Sequence, residues 1–234
     1  MNDARFRHGV FALIVASALV LGACGGDSRS YPVDIDDEEF DLPIMQLGEE
    51  DMPFEGMVLA VSDAFDNEDW AEIFARQDPF IEPEQRLGQF EAQGRVLGHL
   101  ALYSWDDPMR NLGKVFQVES HATIYQDAEA ASNAISLRAC GLLIGDDRPL
   151  DPFDVPHVAD ESAGFFHRRD TGTLGIAVET VVCFRTGRLV HAVVENGLDG
   201  TQDVERTIGL AERKLEYVDA AFDGTDPPPP PEET

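Results

Sequence analysis

The chain has 234 residues, 45 acidic against 17 basic, a formal charge of −28, and 43% of its residues are hydrophobic. That apolar share supports one globular domain and excludes wholesale disorder. Lysine occurs only at Lys114 and Lys214, and no basic stripe exists to meet a phosphate backbone, so nucleic acid is a poor partner. The acidity argues for solubility rather than for a substrate.

Arg5 and Arg7 precede an apolar stretch from Val10 to Leu21. It is too short to span a bilayer as a mature helix and has the length of a secretory h-region. Leu21-Gly22-Ala23-Cys24 follows at once and resembles the lipobox of bacterial lipoproteins. The resemblance implies that 1–23 is a signal peptide and that Cys24 becomes the acylated N-terminus. Several acyl chains would then hold the domain on the extracytoplasmic side of the cell envelope, since one chain alone binds marginally. An ordinary signal peptide cut near Ala23, or an uncleaved anchor, are the alternatives, and both still export the body.

Residues 24–51 are expected to form an acidic flexible tether. Between Asp27 and Asp51 there are ten acidic residues and one basic, Arg29, and self-repulsion favours a solvated spacer. At the far end, Pro227 to Pro231 excludes helix and central strand, so 225–234 reads as a disordered tail. The folded body is 52–224.

In that body Phe54, Met57, Val58, Val61 and Phe65 recur at helical spacing after Pro53, and Trp70, Ile73 and Phe74 follow the capping pair Asp66-Asn67. Two short helices are expected there, and a third over Glu82 to Gln93, stopped by Gly94. Val96 to Trp105 and Val115 to Gln126 read as strands, the second with Gln117, Glu119, His121 and Thr123 on a polar face. Asp127 then caps an alanine-rich helix through Ala139. Gly164 to Arg168, Leu174 to Arg185 and Arg188 to Glu195 have strand character. Thr201 to Phe222 is a helix striped by Val204, Ile208, Ala211, Leu215, Val218 and Phe222. The fold class is therefore α+β, an antiparallel sheet with helices packed on it and a loose internal ββα repeat. In topology it resembles the small lipid-anchored sheet-and-helix domains of bacterial envelopes, PsbP-like folds among them, a likeness of arrangement and not of motif.

A turn centred on Thr186-Gly187 pairs Arg185 with Arg188 and sets two faces. One carries Val182, Phe184, His191 and Val193; the other carries Ala177, Val181, Cys183 and Ala192, small enough at several points for the two long helices to approach. The first face is the expected ligand face, with the N-terminal helices, a ligand or a partner subunit as its cover.

With Cys24 lipidated, Cys140 and Cys183 form an even pair, one at a helix end and one on the strand face that meets it. They are either a disulfide or two buried thiols. The histidines fit no metal signature and no nucleotide, hydrolase or dehydrogenase motif is present, so neither a metal nor a cofactor is expected. The leading reading is a non-catalytic domain that binds a small apolar or amphipathic ligand or an envelope protein. The rivals are an envelope enzyme assembled in space from His121, His191, Glu119 and Glu195, and a structural assembly subunit.

Overall fold

The computed structural model describes residues 29–77, 82–111, 113–142, 150–227, 229 and 230. The expected signal peptide and Cys24 lie outside the described residues. Strand β1 (Met57–Phe65) is followed by helices α1 (Asn67–Gln77) and α2 (Pro83–Ala92), then by strands β2 (Arg95–Trp105) and β3 (Val115–Tyr125) and helix α3 (Ala128–Ser136). Strands β4 (Leu150–Phe153), β5 (Glu161–Asp170), β6 (Ile176–Thr186) and β7 (Leu189–Leu198) lead to the long helix α4 (Val204–Asp223). Among the described residues the seven strands form one antiparallel sheet in the order β1-β2-β3-β7-β6-β5-β4. The protein is thus an α+β fold.

Local chemistry explains the element ends. The Asp127 carboxylate accepts from the Ala130 amide at 2.8 Å and the Asp203 carboxylate from the Arg206 amide at 3.1 Å, each filling an orphan donor of a first helical turn. The β6–β7 turn has the expected two-residue length but sits one residue further along: Thr186 pairs with Leu189, and Gly187 takes φ +61°. Its centre is Gly187-Arg188, so the register lies two residues from the expected one. A shift of two preserves the faces, because strand side chains alternate with period two.

One expected helix is a strand. Met57–Phe65 forms β1 at the sheet edge, with a register shift between Leu59 and Val61. That bulge breaks the two-residue alternation, and both faces of the strand are largely exposed, so the apolar positions 57, 58, 61 and 65 match a helical period by coincidence. The opposite edge, β4, is four residues long and contains Pro152, which blunts it against further pairing.

The acidic segment is not a spacer. Residues Asp37–Glu39, Leu42–Met45 and Glu49–Asp51 form short 3-10 turns, and Phe40, Leu42, Met45 and Leu47 are buried. They pack with Val182, Phe184, Leu189 and Val193 of the sheet and with Leu210, Ala211 and Val218 of α4. Each such apolar side chain removed from water contributes about 1.5–3 kcal/mol, enough to overcome the like charges, most of which are exposed while Asp51 is buried in an ion pair. This strap is riveted by Lys214, fully buried, whose ammonium donates to Met45 O at 2.8 Å, Gln46 Oε1 at 2.8 Å and Ser120 Oγ at 2.7 Å. Burial pushes its pKa well below 10.5. Buried Arg213 adds an ion pair to buried Asp51 at 2.8 Å, and Arg188 pairs with Asp37 at 2.5 Å.

The strap and α4 seal one side of the sheet, the strap face. On the other, α3 lies over β5, β6 and β7, with Ala131, Ala134 and Ile135 against Phe165, Val181, Val190 and Ala192. Cys140 and Cys183 are bonded there, Cα to Cα 5.9 Å. Helices α1 and α2 cover β2 on this same side through Trp70, Phe90 and Leu100. The two ββα units therefore place their helices on opposite faces, against a simple internal repeat. So the helix layers are also redistributed: α4 covers the face expected for the N-terminal helices, which lie beside α3 instead. The described tail residues 225–227, 229 and 230 form no helix or strand.

Candidate functional site

Among the described residues, none covers a strip of the sheet between α1 and the end of α3. Register places Gln117 of β3 beside Asn196 of β7, Asn196 beside Glu179 of β6, and Glu179 beside His167 of β5. A polar row thus crosses four strands, and Glu119 and His121 stand on the same face of β3, one and two pleats along. These residues floor a cleft of about 350 Å³ whose wall is Trp70, Ile73 and Phe74 of α1 with Leu100 and Leu102 of β2. A wider depression of about 560 Å³ lies near Ile135, Arg138 and His157; its carboxylates Asp160 and Glu161 are already paired with Arg185, and among the described residues no Trp, Tyr or Phe lines it.

The wall is fixed from behind. Asp66 caps α1 by accepting from the Asp69 amide at 2.9 Å. The buried Arg95 guanidinium donates to Asn67 Oδ1 at 2.7 Å and Phe65 O at 3.2 Å, and lies 5.7 Å from the Trp70 ring and 5.2 Å from the Phe90 ring. Burial lowers its pKa to about 10. Trp70 also packs 5.3 Å from Phe65, 5.3 Å from Phe74 and edge-on to His121 at 5.9 Å. Its indole N–H is buried and meets no acceptor among the described residues, a cost that an aromatic cluster ordinarily avoids.

The floor presents carboxylates and hides imidazoles. His121 Nε2 meets Glu119 Oε2 at 2.8 Å, and the Asn196 amide donates to Glu119 Oε1 at 2.9 Å. His167 Nδ1 meets Glu179 Oε2 at 2.6 Å. The His121 and His167 side chains are 4% and 3% exposed, against 21% and 24% for Glu119 and Glu179. Each carboxylate is therefore oriented from below and offered to the cleft. Arg169 stands one pleat beyond His167 on β5, on the same face, and lines the cleft. The arrangement can accept hydrogen bonds from a donor or cationic head while an apolar body lies on the α1 wall. Among the described residues no three His, Cys, Asp or Glu side chains converge as cation ligands.

Sequence reasoning brought half of this site together. His121 and Glu119 are in the cleft; His191 and Glu195 are on the opposite, sealed face. Val182, Phe184, His191 and Val193, the expected ligand face, are each 0% exposed and belong to the core under α4 and the strap. His191 bonds Thr186 at 2.9 Å and stacks on Phe184, and burial followed by the Lys214 charge pushes its pKa well below 6.5. Glu195 receives Arg206 at 2.7 Å and Thr207, anchoring the start of α4. His167, Glu179, Asn196 and Trp70 were not singled out. Only a register linking β5 to β6 brings His167 to Glu179, and the five-residue connection between those strands carries no tight-turn signal that would set it.

Among the described residues no helix is long and apolar enough to cross a membrane. No family model matches the chain, and no curated protein matches it. In structure the chain is similar to the extracellular domain of PknH from Mycobacterium tuberculosis, at 11% identity and a TM-score of 0.47, over 81% of this chain and 97% of that one.

Proposed function

We propose that this protein is a lipid-anchored extracytoplasmic binding domain that takes a small amphipathic molecule in the cleft between α1 and the sheet, without catalysis. The observation that carries the reading is the pairing of an aromatic wall with a floor of two histidine-backed carboxylates. A closed apolar core has no use for such a floor, and a purely polar site has no use for such a wall. The ligand's apolar part lies on Trp70, Ile73 and Phe74; a cationic or hydrogen-bond-donating head meets Glu119 and Glu179. Export is supported by the lipobox-like Leu21-Gly22-Ala23-Cys24 and by the Cys140–Cys183 bond, a linkage suited to an oxidising compartment.

The rival enzymatic reading rests on the same His–Glu pairs, which have the form of general-base dyads. Among the described residues the cleft lining holds no serine, threonine, cysteine or lysine to act as a nucleophile beside them. Titration calorimetry decides the binding reading. Using the exported chain carrying Cys24→Ser, dodecylammonium below its micellar concentration is expected to bind saturably, and dodecanoate at least tenfold more weakly. Glu179→Gln should weaken the ammonium probe by roughly 10–100-fold, the range of a hydrogen bond to a charged group. Equal affinity for the two probes, or no effect of Glu179→Gln, refutes the assignment.

A further inference from the structure

The strap enters the fold at one end of the sheet, and the cleft lies at the other. Arg29, the first described residue, donates to Asp223 at 2.7 Å and 3.0 Å at the C-terminal end of α4. Tyr31 OH donates to Asp219 at 2.9 Å, and its ring lies 5.5 Å from Phe222. A Cβ added at Gly187 in the β6–β7 turn would come within 2.8 Å of Pro32 O, so the same end also holds that turn. From there the strap climbs the sealed face past Phe40, Lys214 and Asp51 until it reaches β1.

The cleft is displaced in both remaining senses. It opens on the opposite face of the sheet, and its polar row crosses β6 at Glu179 and β7 at Asn196. Glu179 is seven residues from Thr186, about 23 Å along an extended strand. Because the strap is docked, only four residues separate a lipidated Cys24 from Arg29, five Cα-to-Cα steps that reach at most about 18 Å. A spacer running through residue 51 would instead have reached roughly 90 Å and left the domain free to tumble.

We infer that the domain is held against its membrane by the β6–β7 turn and the C-terminal end of α4, with the cleft at the far end facing away from the bilayer. The cleft then loads amphiphile that arrives from the aqueous side, not lipid drawn from the leaflet that carries the anchor. This inference rests on the anchoring in the proposed function and adds an orientation to it.

Dye labelling of the full acylated chain in vesicles tests it. Cysteine is introduced at Thr225→Cys, beside the strap entry, or at Thr173→Cys, in the exposed connection at the cleft end; the native cysteines are consumed by lipid and disulfide. Acceptor-labelled headgroups are expected to quench the Thr225 position at least threefold more than the Thr173 position. Twenty Gly/Ser residues inserted between Gly26 and Asp27 should erase the difference. Protein that floats with vesicles but shows equal or reversed quenching overturns the orientation and leaves the anchor standing. Protein that fails to float, with Cys24 unmodified by mass spectrometry, overturns both.

Discussion

The two faces of one sheet have opposite fates here. The strap face carries the more apolar strand positions and is completely closed; the cleft face carries Glu119, His121, His167 and Glu179 and stays partly open. Apolarity in a sequence thus marks what will be covered, by whatever part of the chain can reach it, and the functional surface is where coverage stops. Twenty-three residues of acidic strap, 29–51, and a 20-residue helix close the first face. Three shorter helices on the second leave a strip between them where polar side chains are paired with each other rather than with a covering layer.

If that contrast is right, covalent and packing changes should separate the faces from the cleft. The largest effect is expected on the cleft face: removing the Cys140–Cys183 bond, which closes a separation of 43 residues, should cost about 4 kcal/mol on the chain-entropy account. Comparing denaturant midpoints of Cys140→Ala/Cys183→Ala with the parent checks it, alongside non-reducing peptide mapping that should recover the two cysteines in one fragment.

Next comes the strap. Leu47→Ala, at a side chain 2% exposed, should destabilise by about 2–4 kcal/mol, whereas Val33→Ala, at 47% exposed, should fall within about 0.5 kcal/mol. Equal, negligible effects at both would restore the solvated spacer. Gly187→Ala is expected to cost about 1–2 kcal/mol, from its positive φ together with the close approach of Pro32 O. A neutral outcome in urea melts would mean that strap and turn are not in contact.

The smallest effect is a slope against pH. His191 is held neutral in the fold, with its pKa well below 6.5, and burial lowers that of His99 as well. As pH falls below 6.5 the unfolded chain binds protons that the folded one refuses, so stability is full above 6.5 and declines below it. His191→Gln should make that acid decline shallower, read from urea midpoints between pH 7 and pH 5. An unchanged slope would place the acid sensitivity elsewhere.

Much of the fold was legible because its signals are local. Asp127 caps α3 as expected, and Gly94 follows the end of α2. Face assignment in β6 and β7 survived a register error of two because parity alone decides it. The strap was not legible: its charge dominated composition, although Phe40, Leu42, Met45 and Leu47 were present to be buried. The buried side of α4 was legible in part: Ala211 and Val218 are buried, and Ile208, Leu215 and Phe222 pack against the core. Its core positions also include Lys214 and Thr207, which a search for an apolar stripe discards, and the strap's carbonyl and amide oxygens together with Ser120 Oγ make an ammonium tolerable there. In the cleft, Glu119 and His121 were visible as the polar side of β3, read as a solvent face. Glu179 and His167 belong to strands whose long-range pairing no local pattern specifies.

A photoreactive dodecylammonium analogue, mapped by mass spectrometry after irradiation with the full chain, tests the contrast between the faces most directly. The account predicts competable labelling on α1 and β2, centred on Phe74 and Leu102, with none in 40–52 or 204–223. Labelling concentrated in those two segments, or spread over both faces without competition by unlabelled dodecylammonium, would contradict it.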